Sequence, residues 1–178
     1  GLAVLLVAGV GGWRFWRYLE TERAQVASSR YEAAVQQARD GNGTAAEAEF
    51  DKLAAEAPNG YGLLAAFRSA AERGRGDAEA GAKAFDDIAA QARLGDGLRD
   101  LARFRAASLR LATGAAAQAR RDLEALAAPA NTWRHLAREQ LGLDALKSGD
   151  YDRAGRWFDQ IAADRETPPN LRARMEIY

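Results

Sequence analysis

The chain has 178 residues, 48% hydrophobic and 28% charged, so it can bury one core or a short repeat array. Its 25 Lys and Arg balance its 25 Asp and Glu, which argues against nucleic acid as a partner, because such binding needs a positive surface. The absence of Cys excludes disulfides and thiolate-ligated metals, and a single His leaves little material for a His-based metal site. We therefore predict no cofactor, no small-molecule substrate and no enzymatic activity.

Residues that favour β-strands are scarce after the first fifth of the chain. Val35 is the last of the five valines, and Ala, Leu, Arg, Glu and Asp dominate the remaining sequence. Most of these are good helix formers, so the sequence predicts an all-α protein. Apolar periodicity, bounded by Gly and Pro, places helices at about 2–40, 44–57, 60–73, 77–93, 97–112, 115–127, 131–148, 150–164 and 169–178.

The first thirteen residues, GLAVLLVAGVGGW, carry no charge. The cluster that follows, from Arg14 to Tyr18, mixes aromatic and arginine side chains, as at the headgroup end of a membrane helix. We therefore predict a transmembrane anchor with an aromatic and arginine collar over residues 1–19, followed by a repeat domain over residues 20–178. The residues assigned to the span and its interface are Leu2, Leu5, Leu6, Gly9, Gly12, Trp13 and Trp16.

This apolar segment is short for a membrane span. Thirteen helical residues cover about 20 Å, against roughly 30 Å of hydrocarbon, so we expect about five to eight further apolar residues upstream. A signal-peptide core and a buried core helix are the alternatives, although no small-x-small cleavage site follows the segment. Arg14, Arg17 and Arg23 follow the span and, taken alone, would place the soluble part in the cytoplasm.

The remaining sequence contains a repeat marked by glycine-bearing turns, which are spaced 35, 38 and 35 residues apart, at Gly41, Gly76, Gly114 and Gly149. Each glycine is followed after five residues by a small residue, after nine by a large apolar residue and after twelve by an aliphatic one. These offsets lie on one face of a helix. The four sets are Ala46, Phe50 and Leu53; Gly81, Phe85 and Ile88; Ala119, Leu123 and Leu126; and Ala154, Phe158 and Ile161.

This pattern resembles the tetratricopeptide repeat, whose second helix carries a small residue, then an aromatic and then a small or aliphatic one before a closing proline. The clearest copy runs from Gly149 to Ile161, with Pro168 beyond it. The resemblance implies a solenoid of about four degenerate helical hairpins, in which small residues let paired helices approach closely. The small residue of the first helices falls on Ala34, Ser69, Ala107 and Gly142.

The combination of an apolar helix, an aromatic and arginine collar and directly continuous repeats is similar, over Leu2 to Tyr178, to one bacterial family. Its members are single-pass tetratricopeptide-like proteins that act as ancillary subunits of the Sec translocon. The resemblance implies a bacterial inner-membrane protein whose repeat domain faces the periplasm, which is opposite to the arginine count. It also implies contact with membrane lipid through the N-terminal helix, and protein partners: the translocon, a membrane-bound periplasmic chaperone or client chains.

Two other functions remain open at this point. The chain could be an assembly or stabilising subunit of a different inner-membrane complex, such as a respiratory one. An enzyme with an unrecognised site in a helical solenoid is a third hypothesis, which the poor inventory of catalytic residues disfavours.

A protein-binding groove is predicted on the first helices of the hairpins, which line the concave face in the repeat family that the chain resembles. In the third and fourth units, the apolar residues of these helices could accept an extended or helical segment of another protein. The alternative is that they only fill the core between hairpins. The candidate groove residues are Leu101, Phe104, Leu111, Leu136, Leu143 and Leu146.

Three features look chemical, and we interpret each as structural. The glycine triplets at 41–43, 74–76 and 95–97 follow helices and lack the Lys of a phosphate loop, so we predict helix-terminal turns in which Gly adopts positive φ. Asp86 and Asp87 are adjacent on a helix and point in different directions, which disfavours a shared proton. His135 has no second His to complete a metal site, so a structural role is predicted.

Overall fold

The computed structural model describes residues 2–57 and 59–175, although the side chains of residues 2–12, 15, 16 and 59 lie outside that description. Regular secondary structure in these ranges is entirely helical, as predicted. The helices are α1 (Leu2–Arg39), α2 (Gly43–Glu56), α3 (Asn59–Gly76), α4 (Ala78–Ala89), α5 (Asp96–Arg110), α6 (Ala116–Leu126), α7 (Arg134–Lys147), α8 (Tyr151–Ala163) and α9 (Pro169–Met175).

Most helix ends lie close to the predicted ones, but α4 and α7 are shorter than the sequence suggests. Helix α4 stops at Ala89, whose carbonyl accepts a hydrogen bond of 3.1 Å from Arg99 Nε. Helix α7 begins at Arg134 rather than at residue 131. The side chain of Asn131 accepts a hydrogen bond of 2.8 Å from the backbone N–H of Trp133, and this local turn replaces the first helical turn.

The chain divides into two compact units, of which the first comprises α1, α2 and α3 as far as Arg73. In this unit α1 pairs with α2 at Ala34 and Ala46, which are fully buried and small enough to let the helices approach closely. Phe50 fills the space beside them, and its ring centre lies 5.5 Å from that of Tyr31. Helix α3 adds to the same core, so the first unit is a three-helix cluster.

The second unit begins at Gly74 and contains α4 to α9. Its most extensive helix pair is α4 with α5, the second helix of one predicted hairpin with the first helix of the next. One core cluster joins α5, α6 and α7 around Phe104 and Leu123. A second cluster joins α7, α8 and α9 around Phe158 and Ile161. Within this unit, each helix therefore packs on the next helix in sequence, as a repeat array requires.

The repeat pattern is confirmed by burial. All twelve residues of the small, large and aliphatic sets are buried, and so are the four small residues of the first helices. Gly142 shows why a small residue is needed, because a Cβ atom there would lie only 2.8 Å from Cζ of Phe158. The missing side chain on α7 thus makes room for the large side chain on α8.

Two of the repeat glycines adopt the predicted left-handed conformation. Gly41 and Gly149 have φ of +86° and +73°. In both turns the N–H of the following residue donates to the carbonyl five residues before it, at 2.9 and 3.0 Å. This pattern closes a helix C-terminus by satisfying one of its free carbonyls.

The prediction of positive φ was wrong for the triplets at 74–76 and 95–97. No further glycine within the described ranges has positive φ. Helix α3 continues to Gly76 and Asp77 caps α4 directly, so no left-handed residue is needed between them. Gly95 has φ of −64° and precedes the first turn of α5.

The membrane-anchor prediction falls largely outside the described side chains, which exclude those of Leu2, Leu5, Leu6, Gly9, Gly12 and Trp16. Within the part of the chain that the structure describes, no helix combines enough length and apolar character to cross a bilayer. Trp13 is exposed, and the guanidinium of Arg17 lies 5.0 Å from its ring centre. The anchor over residues 1–19 therefore stays a prediction.

Candidate protein-binding site

A cavity of about 300 Å³ lies between the C-terminal ends of α5 and α7, the first helices of the third and fourth predicted hairpins. We call it the α5–α7 groove. Its lining is mostly apolar, and it brings together three of the six predicted groove residues. The lining residues are Ser108, Leu111, Ala112, Gln140, Leu143, Asp144, Leu146 and Lys147.

The three leucines of the groove are only partly buried. Leu111 packs on the core cluster of α5, α6 and α7, whereas Leu143 and Leu146 pack on the cluster of α7, α8 and α9. Each leucine thus contacts the core with part of its side chain and faces the groove with the rest. This arrangement offers an apolar surface that a partner could cover.

The other three predicted groove residues lie elsewhere. Phe104 is buried in the core beside Leu123, and Leu136 packs against the same cluster. Leu101 is partly buried but does not line the α5–α7 groove. The groove is therefore shorter than the predicted surface and is confined to the C-terminal ends of the two helices.

The charges around the groove are distributed unevenly. Asp144 accepts a hydrogen bond of 2.6 Å from Arg120 Nε, and its side chain is 12% exposed. The hydroxyl of Ser108 donates to the carbonyl of Phe104 within its own helix. Lys147 is exposed, and no carboxylate of the described residues lies within ion-pair distance of its amino group. The uncompensated charge at the groove is therefore positive.

Sequence reasoning missed Lys147. Asp144 precedes it by three residues, a spacing at which opposite charges on a helix pair with each other. The structure instead directs Asp144 to Arg120 on α6. The pairing of Asp144 therefore depends on a contact between two helices, which no local sequence pattern predicts.

The comparison with known protein families agrees with this architecture. Residues 1–170 match the model of the tetratricopeptide repeat-like domain. The chain belongs to this family. Tetratricopeptide repeat-like domains are typically scaffolds that bind other proteins rather than enzymes, so protein partners are expected. No curated protein and no solved structure matches the chain significantly.

A larger cavity in this tetratricopeptide repeat-like domain is acidic, but its carboxylates have donors within the chain. It encloses about 610 Å³ between α4, α5 and α6. Asp86 accepts a hydrogen bond of 2.5 Å from the guanidinium of Arg110. Asp100 accepts one of 2.8 Å from the side-chain amide of Asn131. Asp122 accepts one of 2.7 Å from the side-chain amide of Gln118. The cavity consequently lacks unsatisfied acids that would mark a ligand site.

The adjacent carboxylates considered in the sequence, Asp86 and Asp87, bind separate basic residues. Asp86 pairs with Arg110, whereas Asp87 pairs with Lys83 at 3.3 Å, so the two adjacent acids point to different partners as predicted. Across the described residues, no group of three or more His, Cys, Asp or Glu side chains could hold a metal ion.

His135 lies in a charged cluster that joins α7 to the turn after α8. Its Nε2 is 3.0 Å from the carboxylate of Asp164, without the alignment of a hydrogen bond. Arg138 also contacts this carboxylate, at 3.2 Å. The Arg134 guanidinium, which donates at 2.8 Å, and the backbone N–H of Glu166 hold the pKa of Asp164 well below its usual range. Through the hydrogen bonds of Arg134 and Arg138 to Asp164, the cluster cross-links the last hairpin.

Proposed function

We propose that this chain is a membrane-anchored, protein-binding scaffold and an accessory subunit of a bacterial inner-membrane complex. The first candidate for that complex is the Sec translocon with its periplasmic chaperones. The observation that carries the proposal is the α5–α7 groove, in which Leu111, Leu143 and Leu146 remain partly exposed on a repeat-like scaffold. Burial of apolar surface there would supply the binding free energy.

The anchor is supported by the continuity of α1. This helix runs from Leu2 to Arg39, so the uncharged N-terminal segment and the first helix of the first hairpin form one element. The family match includes the same segment, because it covers residues 1–170. Exposed Trp13 and Tyr18 at the end of the uncharged stretch suit the headgroup region of a bilayer.

Partner binding is tested by replacing two partly exposed leucines of the groove while every fully buried core residue is kept. We expect the double variant Leu111→Ser with Leu143→Ser to lose the partners that co-purify with the full chain in mild detergent. Leu64→Ser and Leu98→Ser serve as controls, because these leucines are exposed and do not line the groove. Helical circular dichroism and the melting curve check that the fold persists.

Each outcome of this test is informative. Loss of partners with an intact fold supports the groove, whereas unfolding of the double variant would mean that the leucines serve only the core. Undiminished co-purification would remove the groove from the proposal. Translocon subunits among the lost partners support the first candidate, and respiratory subunits in their place would contradict it.

The orientation of the repeat domain is tested with a single introduced cysteine. The chain contains no Cys, so Ala117→Cys on the exposed side of α6 gives one reporter thiol. We expect a membrane-impermeant maleimide to label this thiol in cells whose outer membrane is permeabilised and whose inner membrane is intact. Labelling only after the inner membrane is disrupted would place the repeat domain in the cytoplasm, as the arginine count alone suggests.

A further inference from the structure

Lys147 differs from the other two lysines of the chain in its electrostatic environment. Lys52 lies 4.0 Å from a carboxylate oxygen of Glu49, and Lys83 lies 3.3 Å from one of Asp87. Lys147 is exposed at the groove and has no such partner among the described residues. Its positive charge is therefore available to another molecule.

The position of Lys147 in the last turn of α7 does not by itself account for this residue. A basic side chain there can compensate the free carbonyls of the helix end. In α7, three of the last four carbonyls already have other donors. The hydroxyl of Ser148 donates to Asp144 O at 2.8 Å. The N–H groups of Gly149 and Asp150 donate to Leu146 O and Ala145 O, both at 3.0 Å. Among the described residues, the ammonium group of Lys147 donates to none of these carbonyls.

The groove thus combines an apolar floor with one positive charge at its rim. The acid that could have neutralised Lys147, Asp144, is held by Arg120 on α6. A cationic side chain of a partner would meet Lys147 as a like charge, and a purely apolar segment would leave its charge unpaired. The complementary ligand is an apolar side chain that fills the groove next to a carboxylate that reaches the amino group.

We propose that the α5–α7 groove selects protein segments in which a large apolar residue stands close to an acidic residue, and that Lys147 binds the side-chain carboxylate of that residue. The inference rests on the proposed function, in which the groove binds protein, and adds the chemistry by which it chooses. Leu111, Leu143 and Leu146 supply affinity, whereas Lys147 supplies the preference for acid over base.

The first test uses three labelled dodecapeptides and the purified full chain in detergent. The peptides are four repeats of Leu-Ser-Asp, of Leu-Ser-Lys and of Ser-Ser-Asp, and fluorescence anisotropy measures their binding. We expect the Leu-Ser-Asp peptide to bind more tightly than both others, because it alone provides the apolar and the acidic group. Lys147→Ala should weaken its binding about three- to tenfold, and Lys147→Glu should make the Leu-Ser-Lys peptide the better ligand.

The matched control is Lys83→Glu, which changes net charge by the same amount on α4, a helix that does not line the groove. This control should leave the order of the peptides unchanged. Equal binding of the acidic and basic peptides by the parent chain would overturn the inference. The inference would also be overturned if Lys147→Glu left the order of the peptide affinities unchanged.

The second test separates this inference from the proposed function. Co-purification of native partners is compared for Lys147→Glu and for Leu111→Ser with Leu143→Ser. Loss of partners in both, with retention in Lys83→Glu, supports the inference. Retention in Lys147→Glu with loss in the leucine variant overturns the carboxylate preference and leaves the groove standing. Retention in both overturns the two proposals together.

Discussion

The contact between α7 and α8 depends on the absence of a side chain at Gly142. A Cβ atom at this position would lie 2.8 Å from Cζ of Phe158, whose side chain is buried. At Gly155, on α8, an added Cβ would meet no atom within 4 Å apart from the adjoining residues and the backbone of its own helix. Both glycines lower the stability of their helix relative to alanine, but only Gly142 lacks the space for a larger side chain.

We expect Gly142→Ala to lower the free energy of unfolding by about 1 kcal/mol, because overpacking against Phe158 outweighs the gain in helix propensity. Gly155→Ala should instead raise it by about 0.5–1 kcal/mol, because only the propensity changes. Chemical denaturation followed by circular dichroism measures both values. Stabilisation of the fold by both substitutions would contradict the close contact.

Asp164 makes the last hairpin sensitive to acid. Its hydrogen bonds with Arg134 and with the backbone N–H of Glu166 lower its pKa in the folded state below that in the unfolded chain. Its contribution to stability is thus fully present above the unfolded pKa, about 4, and is lost as the pH falls from there towards the folded pKa.

We expect Asp164→Asn to be less stable than the parent chain at pH 7 and to lose less stability between pH 5 and pH 3. Melting temperatures measured across this range check both expectations. Asp159→Asn is the control, because Asp159 is exposed on α8 and has no ion pair among the described residues. Parallel pH profiles for parent and Asp164→Asn would contradict the role of the cluster.

At the scale of the helices, the sequence predicted where elements begin and end wherever a local cap or a breaker decides. Gly41 and Gly149 close α1 and α7 with left-handed turns, as their positions in the repeat suggest. The sequence failed where a contact from another element decides, as at Ala89, where Arg99 binds the terminal carbonyl of α4. Side chains that reach across helices leave no periodic signal.

The start of α4 illustrates a local cap. The carboxylate of Asp77 accepts hydrogen bonds of 3.0 Å from the N–H groups of Glu79 and Ala80. We expect Asp77→Ala to lower the free energy of unfolding by about 1 kcal/mol, because two donors of the first turn lose their acceptor. The control, Asp87→Ala on the exposed face of the same helix, should change it by less than about 0.5 kcal/mol. Chemical denaturation measures the free energy of unfolding of both variants. Equal losses of stability in Asp77→Ala and Asp87→Ala would contradict the capping role of Asp77.

The candidate site was predictable to the same limited extent. Periodicity placed Leu111, Leu143 and Leu146 on the first helices of adjacent hairpins, and the structure brings them to one groove. Phe104 is also a large apolar residue on the first helix of a hairpin, yet it lies in the core. Apolar residues follow the same helical spacing whether they lie in the core or line a groove. Only the packing of the third and fourth hairpins therefore distinguishes core residues from groove residues.

At the scale of the whole molecule, the described core begins well after the uncharged N-terminal segment. Among the side chains of α1 that the structure describes, the first buried one is that of Ala27, which packs with α2 and α3. Residues 20–178 therefore contain every described residue of the hydrophobic clusters. The repeat domain should not need the N-terminal segment for its stability.

We expect a chain that starts at residue 20 to keep its helical content and to change its free energy of unfolding by less than about 1 kcal/mol. The same chain should no longer sediment with membrane vesicles, because it lacks the proposed anchor. Circular dichroism and vesicle co-sedimentation measure the two properties. Persistent co-sedimentation of the shortened chain would assign membrane binding to the repeats.

Helix α1 also fixes the rotation, about the helix axis, of the N-terminal segment relative to the first hairpin. It runs without a break from Leu2 to Arg39, a distance of about 57 Å, so the N-terminal segment and the first hairpin share one helical screw. One residue inserted after Glu22 turns the two ends by about 100° relative to each other, whereas four residues turn them by about 400° and nearly restore the original direction. If a membrane partner contacts both ends, its recovery should rise and fall with the number of inserted residues, with a period of about 3.6. A flexible joint would show only a steady decline with length, so the uninterrupted helix transmits direction as well as distance.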